Sequence, residues 1–421
     1  MNSAFISLPI SGTFSQKRSR FLFRVRGEKA HEGDQQLAAT QSHGVLSQKR
    51  YMEITGNKVV AALAGIENFN HVEKDDFVIS LRTFEGGLER AKESGCISPA
   101  YTVLEPSKEV DPGYFQYLLK SKVFISHLQT TVTGIRDGKS VKFENLANII
   151  LPSPDLETQR QIAGFLDRET ARIDLLIEKK RRLVVLLGEK YFANLECMTF
   201  PQDLPGDELV PFRWICRIAE GQVDPTSDTW RGRILIAPNH IESKTGRLLA
   251  METAEEQGAI SGKYAFGKGT VLYSKIRPAL AKACISPSAG MCSADMYPII
   301  PDKRLRPEYL LMQLLSSRFT DWATLESMRV AMPKINRETL GGFRLRVPPL
   351  GLQDDYVRTF AAKRSRFESV ADKIRSSIER IMEYRSALIT AAVTGQIDVQ
   401  TYGKSGTVDR RLDAIQEEME A

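Results

Sequence analysis

Two polar clusters recur along this 421-residue chain. The strand-like run from Asp76 carries Ser80 and ends at Arg82, and the run from Val271 carries Ser274 and Lys275 and ends at Arg277, so the two arginines stand 195 residues apart. Further along, Lys139 and Lys142 in KSVKFENL correspond to Lys334, Asn336 and Arg337 in PKINRETL. Cationic groups at loop ends are phosphate ligands, and a guanidinium fork or a carboxamide makes paired hydrogen bonds to a base edge. The polar loops LAATQSHGV and LIAPNHIES, which hold His43 and His240, add Gln41 and Asn239, carboxamides of the kind that read adenine. Taken singly, each residue reads more simply as solvated surface. The recurrence argues for the class, not for any one member.

Catalytic chemistry finds little to stand on. Pro154-Asp155 followed by Glu178-Lys179-Lys180 satisfies the spacing of a metal-dependent nuclease. Such carboxylates must converge on Mg²⁺, whereas Glu178 and Lys180 fall on a long charged helix, and Asp155 sits at its start, where an acid suits the helix dipole. No phosphate-binding G-x-x-x-x-G-K-[ST] run, no N/D-P-P-Y/F and no glycine-rich methyl-donor signature appears. His31, His43, His71, His127 and His240 lack H-x-x-x-H spacing and read as surface or structural residues. Cys96, Cys197, Cys216, Cys284 and Cys292 are odd in number without C-x-x-C spacing, which encodes neither a disulfide framework nor a zinc site. The expectation is a chain with no catalytic residue, no cofactor and no metal.

The elements that must position the polar clusters are themselves repeated. DPGYFQYLLKSKVF (Asp111 to Phe124) aligns without a gap on RPEYLLMQLLSSRF (Arg306 to Phe319). In each copy a strand-like run then stops at proline, Leu151-Pro152 or Val347-Pro348-Pro349, and a long Leu-, Ile-, Arg-, Glu- and Lys-rich segment follows. A period this long means duplicated domains and not a solenoid. In the second long segment, Val357, Phe360, Phe367, Ala371, Ile374, Ile378, Ile381 and Leu388 keep an alternating three and four step broken only by Arg364 and Arg385, which is a coiled-coil seam. Ile162, Leu166, Ile173, Leu176, Leu183 and Leu187 form a similar ladder in the first. Two matching seams in one chain most simply pack on each other.

The layout is therefore 1–155, 156–200, 201–350 and 351–398, with 399–421 as a loose linker and short polar helix of unknown role. Hydrophobic residues at 42%, charged residues at 26% and a mean hydropathy of -0.25 are those of a globular protein. A net charge of +6 permits a polyanion partner without demonstrating one, and the excess falls in the two long segments 1–155 and 201–350 that precede the helices. No secretory leader or bilayer-spanning run is visible, so a cytoplasmic location without a membrane partner is expected.

Leu151 to Leu195 resembles closely the helical region that follows each target-recognition domain in Type I restriction-modification specificity subunits, with Pro152, Leu156, Gln159, Ile162, Leu166, Ile173, Asp174, Leu176, Ile177 and Leu186 at that family's positions. Val347 to Val399, ending in LITAAVTGQIDV, resembles the second copy, with departures at Asp354-Asp355 and Phe367-Glu368. The resemblance implies an α+β fold: two α/β-mixed target-recognition domains in pseudo-twofold repeat, separated and followed by long helices that pair as an antiparallel coiled coil. It implies a sequence-specific, non-catalytic subunit, with each recognition domain reading one half of a bipartite double-stranded DNA target. The resemblance further implies two methyltransferase subunits docked on the helical stem, with a restriction and translocation subunit able to join.

That logic also follows from physics. Half-sites one turn apart lie ~34–36 Å from each other, and two helices of about 40 residues rising ~1.5 Å each give a stem near 60 Å. Such a stem is long enough to be the ruler for the unread spacer. The competing reading is a coiled-coil scaffold that does not bind DNA, and it is separated by the steep salt dependence that only a DNA reader shows.

Overall fold

The computed structural model describes residues 8, 14–59, 62, 65–131, 141–203, 208–327, 333–404 and 406–417. The chain divides into two compact units, Met1–Arg181 with Lys373–Ala421, and Arg182–Asp372. Each unit holds one of the expected domains together with half of each long helix, so the units part within the helices and not at their ends.

The first unit is built on an antiparallel sheet in the order Phe23–Val25, Thr102–Pro106, Phe77–Ile79, Glu89–Arg90. A strand pair, Gln16–Arg18 with Ile150–Pro152, leads into the long helix Leu156–Thr199. Phe77 and Phe115 both meet the Phe23 ring edge-on at 5.5 Å, which seats the helix Pro112–Leu118 on the sheet. That helix begins where the sequence says it should: Asp111 accepts the Tyr114 N–H at 3.0 Å and proline takes the first turn.

The second unit repeats the plan: Cys216–Ile218, Met296–Pro301, Val271–Ser274, Ala283–Ile285, again antiparallel and again with the last-made long strand beside the first. Its leading strand pair is Leu209–Pro211 with Arg344–Arg346. A further five-stranded sheet has Ile234–Ile236 parallel to Gly290–Cys292 at its centre.

Within the first unit, Ile162, Leu166, Ile173 and Ile177 share one core with Ile381, Leu388 and Ile389 of the second long helix, Leu350–Val393. Ile374 is buried as well, and Ile378 packs on that core partly buried. Asp174 receives both hydrogen bonds of the Arg385 fork, at 2.9 and 3.0 Å. In the second unit Tyr191 stacks on Phe367 at 5.1 Å and lies against Phe360 at 5.3 Å, and Val357 packs on the same core. Gly188 leaves room for the Phe367 ring, 3.9 Å from where a Cβ would stand.

One stretch of the first ladder is out of phase. Leu183 is 45% exposed and Leu176 only partly buried, while Ile177 is buried and Val184 half-buried. The seam steps by four at Ile173, through Ile177, Lys180, Val184 and Leu187, and not by three. In DLLIEKKRRLVVLL two phases offer nearly the same apolar content, so spacing alone cannot choose between them.

The C-terminal segment is not a loose linker. Helices Val399–Lys404 and Thr407–Glu417 pack on the first unit, with Val408, Leu412 and Ile415 buried and Tyr402 edge-on to Phe165 at 6.2 Å. The charged residues of TVDRRLDAIQE hid a three-residue apolar face at helical spacing.

Candidate nucleic-acid interface

In the second unit the fold joins the two expected polar segments directly. Leaving the strand Val271–Ser274, the chain pairs with residues 333–335: Arg277 N–H donates to the Pro333 carbonyl and Ile335 N–H to the Lys275 carbonyl, both at 2.9 Å. Arg277 adopts φ 47° and ψ 59°, a left-handed conformation rare for a residue with a side chain, and its side chain is exposed. Lys334, opposite Ile276, is exposed too. Neither makes an ion pair among the described residues.

Beside this pair, Lys275 Nζ lies 5.5 Å and the Arg337 guanidinium 5.7 Å from the centre of the Tyr297 ring. Arg337 also reaches Tyr264 at 5.9 Å and pairs with Glu220 at 2.9 Å. The Tyr297 hydroxyl donates to the Ile335 carbonyl at 3.2 Å, so one buried tyrosine anchors the loop that carries Lys334 and holds two cations over its face. Burial pushes the Tyr297 phenol up, and nearby Arg337 partly offsets it. Tyr297 and Tyr264 were not foreseen from sequence, because an aromatic on a strand carries no mark of what will lie over it.

Two expected contacts are spent on structure. Ser274 is 2% exposed, and its hydroxyl donates to the Ile276 carbonyl at 3.1 Å, so it cannot face a ligand. Asn336 uses its carbonyl oxygen to cap the helix Arg337–Gly342, accepting the Thr339 N–H at 2.7 Å. Asn239 is exposed in the short turn Pro238–His240, while His240 is buried beneath it.

In the first unit Ser80 shapes the turn after the strand Phe77–Ile79: its Oγ accepts the Arg82 N–H at 3.3 Å, and its own N–H donates to Thr83 Oγ1 at 2.7 Å. Arg82 opens the short helix Thr83–Gly86 with its side chain exposed and without an ion pair among the described residues. Gln41 reaches the other end of that helix, where a Cβ at Gly86 would stand 2.7 Å from its Nε2. The Gln41 carbonyl accepts Lys120 Nζ at 2.6 Å, and the same ammonium pairs with the buried Glu89 carboxylate, whose pKa burial raises. Lys142 is exposed at the start of Phe143–Ala147, and Lys139 lies outside the described residues.

The nuclease-like carboxylates do not converge. Asp155 accepts the Thr158 N–H at 2.9 Å as the cap of the long helix, and that hydrogen bond holds its carboxyl below the usual range. Glu178 lies 23 residues on along the same helix, which at ~1.5 Å per residue is about 35 Å away. Among the cysteines only Cys197 is exposed, and burial raises the thiols of Cys284 and Cys292 to about 12. No described helix is long and apolar enough to cross a membrane.

Residues 44–184 match the family described as Type I restriction modification DNA specificity domain. Over 211 residues, 50% of this chain, the sequence is 32% identical to the Type I restriction enzyme EcoDI specificity subunit of Escherichia coli, and the chain spans about half of that relative, 46% of its length. Among solved structures, a chain from work on complex assembly and conformational transition of the type I R-M system aligns over 92% of this chain and 100% of its own, with TM-score 0.63 and 14% identity. The HsdS subunit from Thermoanaerobacter tengcongensis aligns over 78% of this chain and 83% of its own, with TM-score 0.46 and 16% identity. At such identity the likeness to the former is one of fold.

Proposed function

We propose that the chain belongs to the Type I restriction-modification DNA specificity family and is the sequence-reading, non-catalytic subunit of such an enzyme, working in the cytoplasm on double-stranded DNA. Each recognition domain reads one half of a bipartite target. The paired helices fix the spacer and dock two methyltransferase subunits, and a restriction subunit can join the same assembly.

The observation that supports this reading most is the recurrence of one device in two separately built units. The second strand of each four-stranded sheet to appear in the chain ends in a turn that presents an exposed arginine, Arg82 or Arg277, with no carboxylate partner among the described residues. A scaffold has no reason to keep two such cations unpaired at equivalent strand ends. Phosphate contacts set register, and guanidinium forks read guanine edges. In the second unit Lys275 and Lys334 lie on the same paired strand end as the arginine and Arg337 follows close by over Tyr297, which suits the phosphate-rich flank of a groove.

The test is binding of the full chain, with its methyltransferase partners, to duplex pools at several salt concentrations. A DNA reader loses about 10³–10⁵ in affinity between 50 and 200 mM salt if it makes six to ten phosphate contacts. It also selects one bipartite sequence, which methylome sequencing of the host reads independently. A flat salt response with no selected sequence would return the chain to the scaffold reading. The purified chain alone is expected neither to methylate nor to cleave.

A further inference from the structure

The histidines carry no ligand spacing in sequence, yet the fold brings two of them together in the first unit. His31 and His71 stack with ring centres 4.0 Å apart and planes 26° from parallel. The strand Asn70–Val72 holds His71 3% exposed, and its backbone N–H donates to the Glu28 carbonyl at 3.0 Å, which fixes the 28–34 segment alongside. Around the imidazole, Nδ1 lies 2.7 Å from Asp34 Oδ2, and Nε2 lies 3.1 Å from Glu73 Oε1. The Asp34 carboxylate is itself oriented by the His31 backbone N–H at 2.8 Å. One donor atom from each of Glu28, His31 and His71 falls within 4.8 Å of the other two.

We propose that Glu28, His31 and His71 form a binding site for a single divalent transition-metal ion, zinc by the character of its donors. Imidazole suits zinc and its neighbours, whereas magnesium and calcium prefer oxygen throughout. A tetrahedral ion with bonds of ~2.0–2.1 Å sets its donors ~3.3 Å apart, so rotations that move the donors by about 1.5 Å close the site. Two of the three donors belong to exposed residues and are free to make that movement, while His71 is the fixed member. Asp34 is placed as the outer carboxylate that holds Nδ1–H of a ligating histidine and turns Nε2 toward the metal, the arrangement that tunes zinc-bound imidazoles. Glu73, 3.1 Å from Nε2 but outside the group of three donors and bonded to Ser94, would have to swing inward to serve as a fourth, a place that water fills otherwise.

Glu28 is released cheaply. Its contact with Arg26 is 3.3 Å long, and the main partner of that guanidinium is Asp76, at 2.8 and 3.1 Å. His31 and Glu28 are exposed, so an ion has a path in from solvent. The groups facing His71 are Asp34, Glu73, Glu28 and His31, with Arg26 one step away and Cys96 beside the Asp34 carbonyl. Three carboxylates against one arginine favour a cation. A bound ion ties the 28–34 segment to the strand Asn70–Val72, two stretches about 40 residues apart in the chain that are joined by hydrogen bonds, one bridge, the His71–Asp34 pair and the His31–His71 stack.

The experiment is equilibrium dialysis of the chelator-stripped full chain against zinc chloride, with metal content measured directly and thermal unfolding followed in parallel. The expected result is one zinc per chain that excess magnesium does not displace, with a rise in the unfolding temperature. Exposed-residue variants His31→Gln and Glu28→Gln, which leave the core untouched, are expected to weaken binding at least tenfold and to lose the thermal shift. Asp34→Asn is expected to cost about 10–100-fold while leaving the direct donors in place. Failure to bind zinc, or binding that survives His31→Gln and Glu28→Gln together, overturns the proposal. None of these readouts involves DNA, so the result stands apart from the recognition function.

Discussion

Gln353 clasps the chain at Arg306: its Oε1 accepts the Arg306 N–H at 2.8 Å, while its Nε2 donates to the carbonyls of Arg304 at 2.8 Å and Pro348 at 2.7 Å. Gln159 does the same in the first unit, accepting the Asp111 N–H at 2.7 Å and donating to Glu109 at 3.0 Å and Pro154 at 2.7 Å. Both glutamines are fully buried. Each locks the start of a long helix to the loop before the helix that seats on the sheet. Gln353→Leu keeps the volume but strands one N–H and two carbonyls, each of which costs about 1–3 kcal/mol when left unsatisfied in the interior. The expected loss is about 3 kcal/mol or more, read as a lower denaturant midpoint. A shift below about 1 kcal/mol would mean that water takes over the clasp.

This clasp persists although the sequence departs at the start of the second helix, Leu350–Val393. Asp354-Asp355 departs from the first copy, yet the glutamine one position earlier keeps its place, and Asp354 pairs with the Arg306 fork at 2.9 and 3.1 Å. The repeat, the long helices and their seams were legible because periodicity and proline stops are local signals. What escaped was set by tertiary context. Ser274 looks like an exposed strand-end serine until the pairing of 275–277 with 333–335 buries it. The His31–His71 stack joins residues 40 positions apart. The Leu183 phase error came from an apolar surplus and not from a weak signal.

Arg82 and Arg277 are expected to act on different halves of the target. Arg82→Ala and Arg277→Ala should each relax sequence preference at one half-site, by about 1–3 kcal/mol if the fork contacts a base. Selection from a pool randomised in one half-site at a time makes the assignment. An equal loss for all sequences demotes an arginine to a phosphate contact, and an unchanged profile for both removes them from the interface.

His71 gives the first unit a pH response. Burial works against its charged form, but the hydrogen bonds that the charged ring donates to the Asp34 and Glu73 carboxylates outweigh that, and its pKa is raised above the ordinary value of 6.5. For a base whose folded value is raised, the stabilising contribution is complete below about 6.5, the unfolded value, and is lost as the pH climbs through the folded one. In chelator, the stability gap between wild type and His71→Gln should therefore be wider at pH 6 than at pH 8.5. Denaturant midpoints at the two values measure it, and a constant gap would mean that His71 is neutral throughout.

The helices are expected to set the spacer, and their seam permits a direct trial. Inserting seven residues after Arg181 and seven after Lys373 keeps the three and four alternation in both helices. The added length is about 10.5 Å at ~1.5 Å per residue, which along a duplex rising ~3.4 Å per base pair is roughly three base pairs. Three base pairs also rotate the second half-site by about 100°, since a turn takes ~10–10.5 of them. Binding of the lengthened site is thus expected to be weakened even while that site is preferred, and preference is the quantity to measure. The assay holds both half-sites constant and lets the spacer vary in the pool. A variant that folds, binds both half-sites and still selects the parental spacer would show that something other than the helices measures the distance, with flexible linkage of the two readers as the remaining account.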